Sequence, residues 1–82
     1  MSENIHIGNR IKQELGRQER SIAWLARQVY CDRSNLSRLL QNQYIDMDLL
    51  QRISTILNHN FFKEISDMVQ HDIDNKNIKP EE

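Results

Sequence analysis

Apolar side chains in this chain fall into five runs whose members stand one, three or four residues apart, and no run alternates. Ile7, Ile11 and Leu15 form the first, Ile22, Leu25, Ala26 and Val29 the second, and Leu36, Leu39 and Leu40 the third. Leu49, Leu50, Ile53, Ile56 and Leu57 follow, and Phe61, Phe62, Ile65, Met68 and Val69 close the series. A period near 3.6 puts each run on one side of a helix, whereas a half-buried strand needs a period of two. Polar connections of a few residues separate the runs, so neighbouring helices fold back on one another. The spacing predicts an all-α domain, a compact bundle of about five short helices. Only two Gly and one Pro interrupt the 82 residues. A chain of this size buries roughly 60% of its unfolded surface, enough for one small core.

Capping residues set the expected limits. The first helix should span about 5–18, with 16–20 as its exit. Ser21 directly precedes the second run, and a Ser hydroxyl accepts a bond from an otherwise unpaired amide of the first turn; this predicts a helix over about 22–29. Asp32 caps a third over about 33–41, leaving Tyr30, Cys31 and Asp32 as the turn between them. Asn42, Gln43 and Tyr44 form a polar break, Asp46 or a neighbour caps the fourth helix, and Asn58, His59 and Asn60 break the pattern again. After Gln70 only Ile73 and Ile78 are apolar. The expectation is a folded domain over 1–70 and a disordered acidic C-terminal tail over 71–82.

Two short helices joined by a tight turn are the local pattern of a helix-turn-helix. Ala26 is small where the two must approach. Leu25 and Val29 are expected to face inward against Leu36 and Leu39. That leaves Arg33, Ser34, Ser37, Arg38 and Gln41 on the outer side of the third helix, and such a helix fits a DNA major groove about 12 Å wide. Arg33 or Arg38 suits bidentate pairing with guanine. Asn35 suits adenine, unless its place beside Leu36 turns it to the helix edge. Arg10, Arg17, Arg20 and Arg27 suit phosphate contacts, joined by amides at the starts of the second and third helices, the former at Ser21. The net charge of −1 hides an asymmetry that favours an anionic partner for the first half. Residues 1–45 carry seven Lys or Arg against four carboxylates, residues 46–82 four against eight.

From Ile11 through Leu57 the chain resembles the Cro/phage-repressor type of helix-turn-helix, also called the XRE type, of bacterial transcription regulators. The stretches that carry the resemblance are "RIKQEL", "SIAWLARQVYCDRSNLSRLLQN" and "LLQRISTIL". The resemblance implies a lambda-repressor-like bundle and a sequence-specific, double-stranded DNA-binding transcription regulator, expected to act as a homodimer. Residues aligned with Arg33, Ser34, Ser37 and Arg38 usually face base edges in that family, and those aligned with Gln41, Asn42 and Gln43 approach phosphate. One position departs. Tyr30 stands where the family commonly has Gly at positive φ. Either this turn takes another shape, or Tyr30 holds the left-handed conformation at a cost of roughly 1 kcal/mol or more.

Other chemistries find little footing. Cys31 is the only cysteine, which excludes an internal disulfide and suits a reducing compartment, the cytoplasm. Beside Asp32 it lacks the cationic setting of a reactive thiol, so a structural role is expected. His6, His59 and His71 lie far apart without ligand spacing, and neither a metal nor a cofactor is expected. No nucleophile–base set or phosphate loop supports an enzyme, and neither a signal peptide nor a membrane span is apparent. Trp24 is expected to pack on the first helix, the other option being a partner surface. One of Phe61 and Phe62 should close the core, leaving the other for a dimer contact or an exposed patch. The competing function is a protein-binding adaptor or antitoxin-like module, with Asp46, Asp48, Asp67, Asp72 and Asp74 as its hook.

Overall fold

The computed structural model describes residues 5–78. Its elements are α1 (Ile7–Arg17), α2 (Ile22–Gln28), α3 (Arg33–Leu39), α4 (Met47–Leu57) and α5 (Phe61–Ile78), with no strand among the described residues. Helix starts follow the capping side chains. Ser21 Oγ accepts from the Trp24 amide at 3.0 Å, and Asp32 accepts from the amides of Ser34 and Asn35 at 3.1 and 3.3 Å. Asp46 accepts from those of Asp48 and Leu49 at 2.9 and 3.2 Å. His6, a less usual cap, starts α1 by accepting from the Asn9 amide through Nδ1 at 3.0 Å. Each such cap satisfies donors the helix cannot pair, and losing an N-cap side chain costs about 1 kcal/mol.

Three helices end in the same way. The amides of Glu19 and Arg20 donate to Gly16 and Leu15, those of Tyr30 and Cys31 to Arg27 and Ala26, and those of Asn58 and His59 to Thr55 and Ser54. Each pair is a Schellman closure, which needs its hinge residue in the left-handed region. The hinges are Glu19, Tyr30 and Asn58, at φ 59°, 56° and 53°. Of the two expectations for the turn after α2, the left-handed one holds, and Tyr30 takes positive φ.

Gly8 meets a different need. It is buried, and an added Cβ would collide with the Leu40 carbonyl and come within 2.7 Å of the Asn42 carbonyl oxygen. The same approach lets the Ile7 amide donate to Gln43 O at 2.7 Å, while Gln43 Nε2 donates to Ile5 O at 3.2 Å. The start of α1 is thus clasped to the connection that follows α3.

All five helices contribute to one core. Ile11, Leu25, Leu36, Leu40, Ile53 and Phe61 are entirely buried, with Ala26 and Val29 nearly so. Leu40, rather than the expected Leu39, is the second inward leucine beside Leu36; Leu39 is only half-buried. Phe61 closes the core and Phe62 packs at its margin. Helix α5 continues past Gln70 to Ile78, so residues 71–78 of the expected tail are helical. Extending a formed helix costs far less than starting one, and Gln70–Asp74 and His71–Asn75 side-chain bonds at 3.0 and 3.1 Å span successive turns. Residues 79–82 of the expected tail lie outside the described residues.

Candidate nucleic-acid interface

The sharp turn between α2 and α3 follows from the two caps back to back, the Schellman closure at Tyr30 and the Asp32 cap two residues later. With Leu36 and Leu40 drawn fully into the core, Arg33, Ser34, Arg38 and Gln41 are left exposed and Ser37 half-covered. Their spacing puts them on the outer side of α3. The structure therefore places Arg33, Ser34, Ser37 and Arg38 on one side, with Asn42, also expected from the sequence, exposed just beyond the helix.

The supporting set divides. Arg27 is exposed, with no hydrogen bond or ion pair among the described residues. Arg20 is exposed and lies over the ring of half-buried Trp24, 4.5 Å from its centroid. Trp24 packs against the core and also serves as a platform for that guanidinium. Arg10, by contrast, is committed inside the fold: Nε and one terminal nitrogen donate to the two Glu64 carboxylate oxygens at 2.7 and 2.8 Å, and another donates to Gln13. Arg17 donates to Glu14, although its side chain remains largely exposed. Gln43 is the clasp to Ile5, and the Ser21 hydroxyl is taken by its own helix. Asn35 is half-buried, between Cys31 and Arg38.

One cluster escaped the sequence reading. Glu14 is the buried charged residue of the core, and it gathers Arg17, Gln18 and the edge of His59. Gln18 Nε2 also donates to the Leu57 carbonyl at 2.8 Å, and His59 reaches Glu64. The Arg17 guanidinium, followed by the Gln18 amide and the nearby imidazole, lowers the Glu14 pKa to about 2 against the cost of burial. Arg10, and then His59, lower that of Glu64. Glu14 lies at the seventh position from Ile7, on the stripe that also holds Ile11 and Leu15, and that placement was the available signal.

Among the described residues no group of three or more His, Cys, Asp or Glu could hold a metal ion, and no helix is long and apolar enough to cross a membrane. The Cys31 thiol is half-buried and accepts from Asn35 Nδ2 at 3.6 Å.

The family model described as the Cro/C1-type HTH DNA-binding domain matches residues 10–70, which contain the whole of α2, α3 and α4 with most of α1 and half of α5. No curated protein and no solved structure matches the chain. The family match, carried by well over half of the sequence, places the chain in the Cro/C1-type helix-turn-helix DNA-binding domain family.

Proposed function

We propose that the protein is a sequence-specific, double-stranded DNA-binding transcription regulator that works in the cytoplasm as a homodimer, with α3 in the major groove. The observation that carries this is the division of α3 and the turn that ends it into a fully buried Leu36–Leu40 side and an exposed Arg33–Ser34–Arg38–Gln41 side. Arg33, Ser34, Ser37 and Arg38 read base edges. Arg20, Arg27, Gln41 and Asn42 approach phosphate, since these side chains are exposed and phosphate contacts orient a protein on the duplex. Arg10 and Gln43 serve the fold instead, because their polar atoms are already engaged. Arg17 keeps enough exposure to swing towards phosphate at the expense of its bond to Glu14.

Doubling the module supplies the surface and the information one short helix lacks. An apolar groove of about 400 Å³, lined by residues that include Tyr44, Ile45, Met47, Leu50, Phe62 and Ile65, runs between α4 and α5. Exposed Val69 and Ile73 extend its apolar character along α5, and a second copy is its occupant in this reading. The two α3 helices would then enter successive major grooves about 34–36 Å apart. The rival adaptor reading loses much of its hook. Asp46 is a helix cap, Asp48 pairs with Arg52, and Asp67 pairs with Lys63.

Selection of bound sequences from random duplex DNA tests the function directly. The expected outcome is an enriched two-fold-symmetric site whose binding weakens steeply with added salt. No enrichment, together with salt-insensitive or absent duplex binding, would return the acidic adaptor surface as the better reading.

A further inference from the structure

We propose that Asn35 is a positioning residue that sets the orientation of the Arg38 guanidinium for base reading, and is not itself a base-reading residue. This rests on the DNA-binding role of α3 proposed above. Asn35 lies between two partners on the outer edge of α3. Its Nδ2 donates to Cys31 Sγ at 3.6 Å, and its Oδ1 accepts from an Arg38 terminal nitrogen at 2.6 Å. The amide has one consistent orientation in that place. A guanidinium can only donate, so the oxygen faces Arg38, and the nitrogen is left for the thiol sulfur, a weak acceptor.

Reading adenine requires the Asn oxygen and nitrogen side by side on the N6 and N7 edge. In this structure those two atoms are turned along the helix, one towards each neighbour. Asn35 is also half-buried while Arg38 is exposed, so the less mobile partner holds the more mobile one. An unrestrained arginine loses side-chain freedom when it docks on guanine. A guanidinium already oriented by one bond loses less, and keeps its other donors for the base. The turn is part of the same device, because Cys31 is the residue that follows the Tyr30 hinge and its amide completes the α2 closure.

The test compares full-length wild type, Arg38→Ala, Asn35→Ala, Asn35→Leu, Asn35→Asp and the Asn35→Ala/Arg38→Ala double variant. Each is titrated with the duplex selected by wild type and with the same duplex changed at the base pair whose preference Arg38→Ala abolishes. Melting curves accompany every titration, and Asn35→Leu keeps a comparable volume if Asn35→Ala loosens the helix. Asn35→Ala and Asn35→Leu should lower discrimination at that base pair by about three- to tenfold, less than Arg38→Ala does. Adding Asn35→Ala to Arg38→Ala should change nothing further there, because the effect passes through Arg38. Asn35→Asp keeps the acceptor oxygen, so it should retain discrimination while its added charge weakens both duplexes alike. The proposal is overturned if Asn35→Ala and Asn35→Leu hold discrimination within twofold of wild type. It is equally overturned if Asn35→Ala still alters discrimination without Arg38, which would make Asn35 a direct reader. If wild type prefers no duplex at all, the DNA-binding role fails first and this one falls with it.

Discussion

Replacing Tyr30 by glycine should make the protein more stable, against the usual direction of a change to glycine. The hinge holds φ at 56°, where an L-residue pays roughly 1–2 kcal/mol for crowding between its Cβ and the backbone. Glycine removes that cost. It also makes the unfolded chain more flexible, which takes back roughly 0.5–1 kcal/mol. Little packing is lost in the exchange, since Tyr30 is 94% exposed. The expected net gain is about 0.5–1 kcal/mol, seen as a rise of roughly 2–8 °C in melting temperature for a domain of this size. Thermal melts followed by circular dichroism, with urea titrations to check that the slope is unchanged, provide the measurement. Tyr30→Ala is the control: it removes the ring but keeps the crowding, so it should sit close to wild type. Glu19→Gly, at φ 59° in an exposed turn, should show the same gain as Tyr30→Gly. A lower melting temperature for Tyr30→Gly would refute the left-handed hinge, or show that its strain is smaller than the entropy glycine adds.

Four other outcomes follow from contacts described above. Glu14 has its folded-state pKa lowered from 4.5 to about 2, so it stabilises the fold above 4.5 and loses that contribution as the pH falls towards 2; the stability gap between wild type and Glu14→Gln should close over that interval, and an unchanging gap would contradict the ion-pair account. Gly8→Ala should cost about 1–3 kcal/mol through overlap with the Leu40 carbonyl, whereas Gly16→Ala, with open space around the added methyl, should gain about 0.5–1 kcal/mol; similar denaturation midpoints for the two would refute the close approach. Phe62→Asp should leave the helical signal intact and abolish dimers in sedimentation, and a dimer that survives would place the self-association surface elsewhere. Truncation after His71 should leave the monomer's melting temperature within a few degrees, because Ile73, Asp74 and Asn75 are exposed, while weakening any dimer that uses Ile73.

Much of the architecture was legible because its signals are local. Ser21, Asp32 and Asp46 each cap the helix that follows within three residues, so their positions alone located three helix starts. The exposed side of α3 followed from subtraction, once Leu36 was known to face inward. Long-range pairings left no such trace. Arg10 and Glu64 are 54 positions apart, and nothing near either residue distinguishes an arginine bound for a carboxylate from one bound for phosphate. Gln43 looked like a polar loop residue until the chain's entry was seen to run beside it. Glu14 was hidden by its charge, since a carboxylate within an apolar stripe is read as an exception until its partners Arg17, Gln18 and, in the connection between α4 and α5, His59 are known. The continuation of α5 past Gln70 was missed for another reason: composition reports what a segment can bury, and this segment is helical with little burial.

The clasp at the start of α1 also bears on how the molecule opens. The Ile7 amide, the Gln43 carbonyl and side chain, and the backbone contact of Gly8 with Leu40 join the chain's entry to the exit of α3. Neither side can loosen without breaking the other's bonds, so they should share a single opening free energy. In native-state hydrogen exchange the Ile7 amide should then behave like those of Leu36 and Leu40, near the global limit and with a common denaturant dependence. Among the described residues the far turns of α5 carry no such tie, and they should exchange by fraying, largely independent of denaturant. DNA recognition would rest on the most slowly opening unit of the protein, and the end of α5 would be free to rearrange without disturbing it.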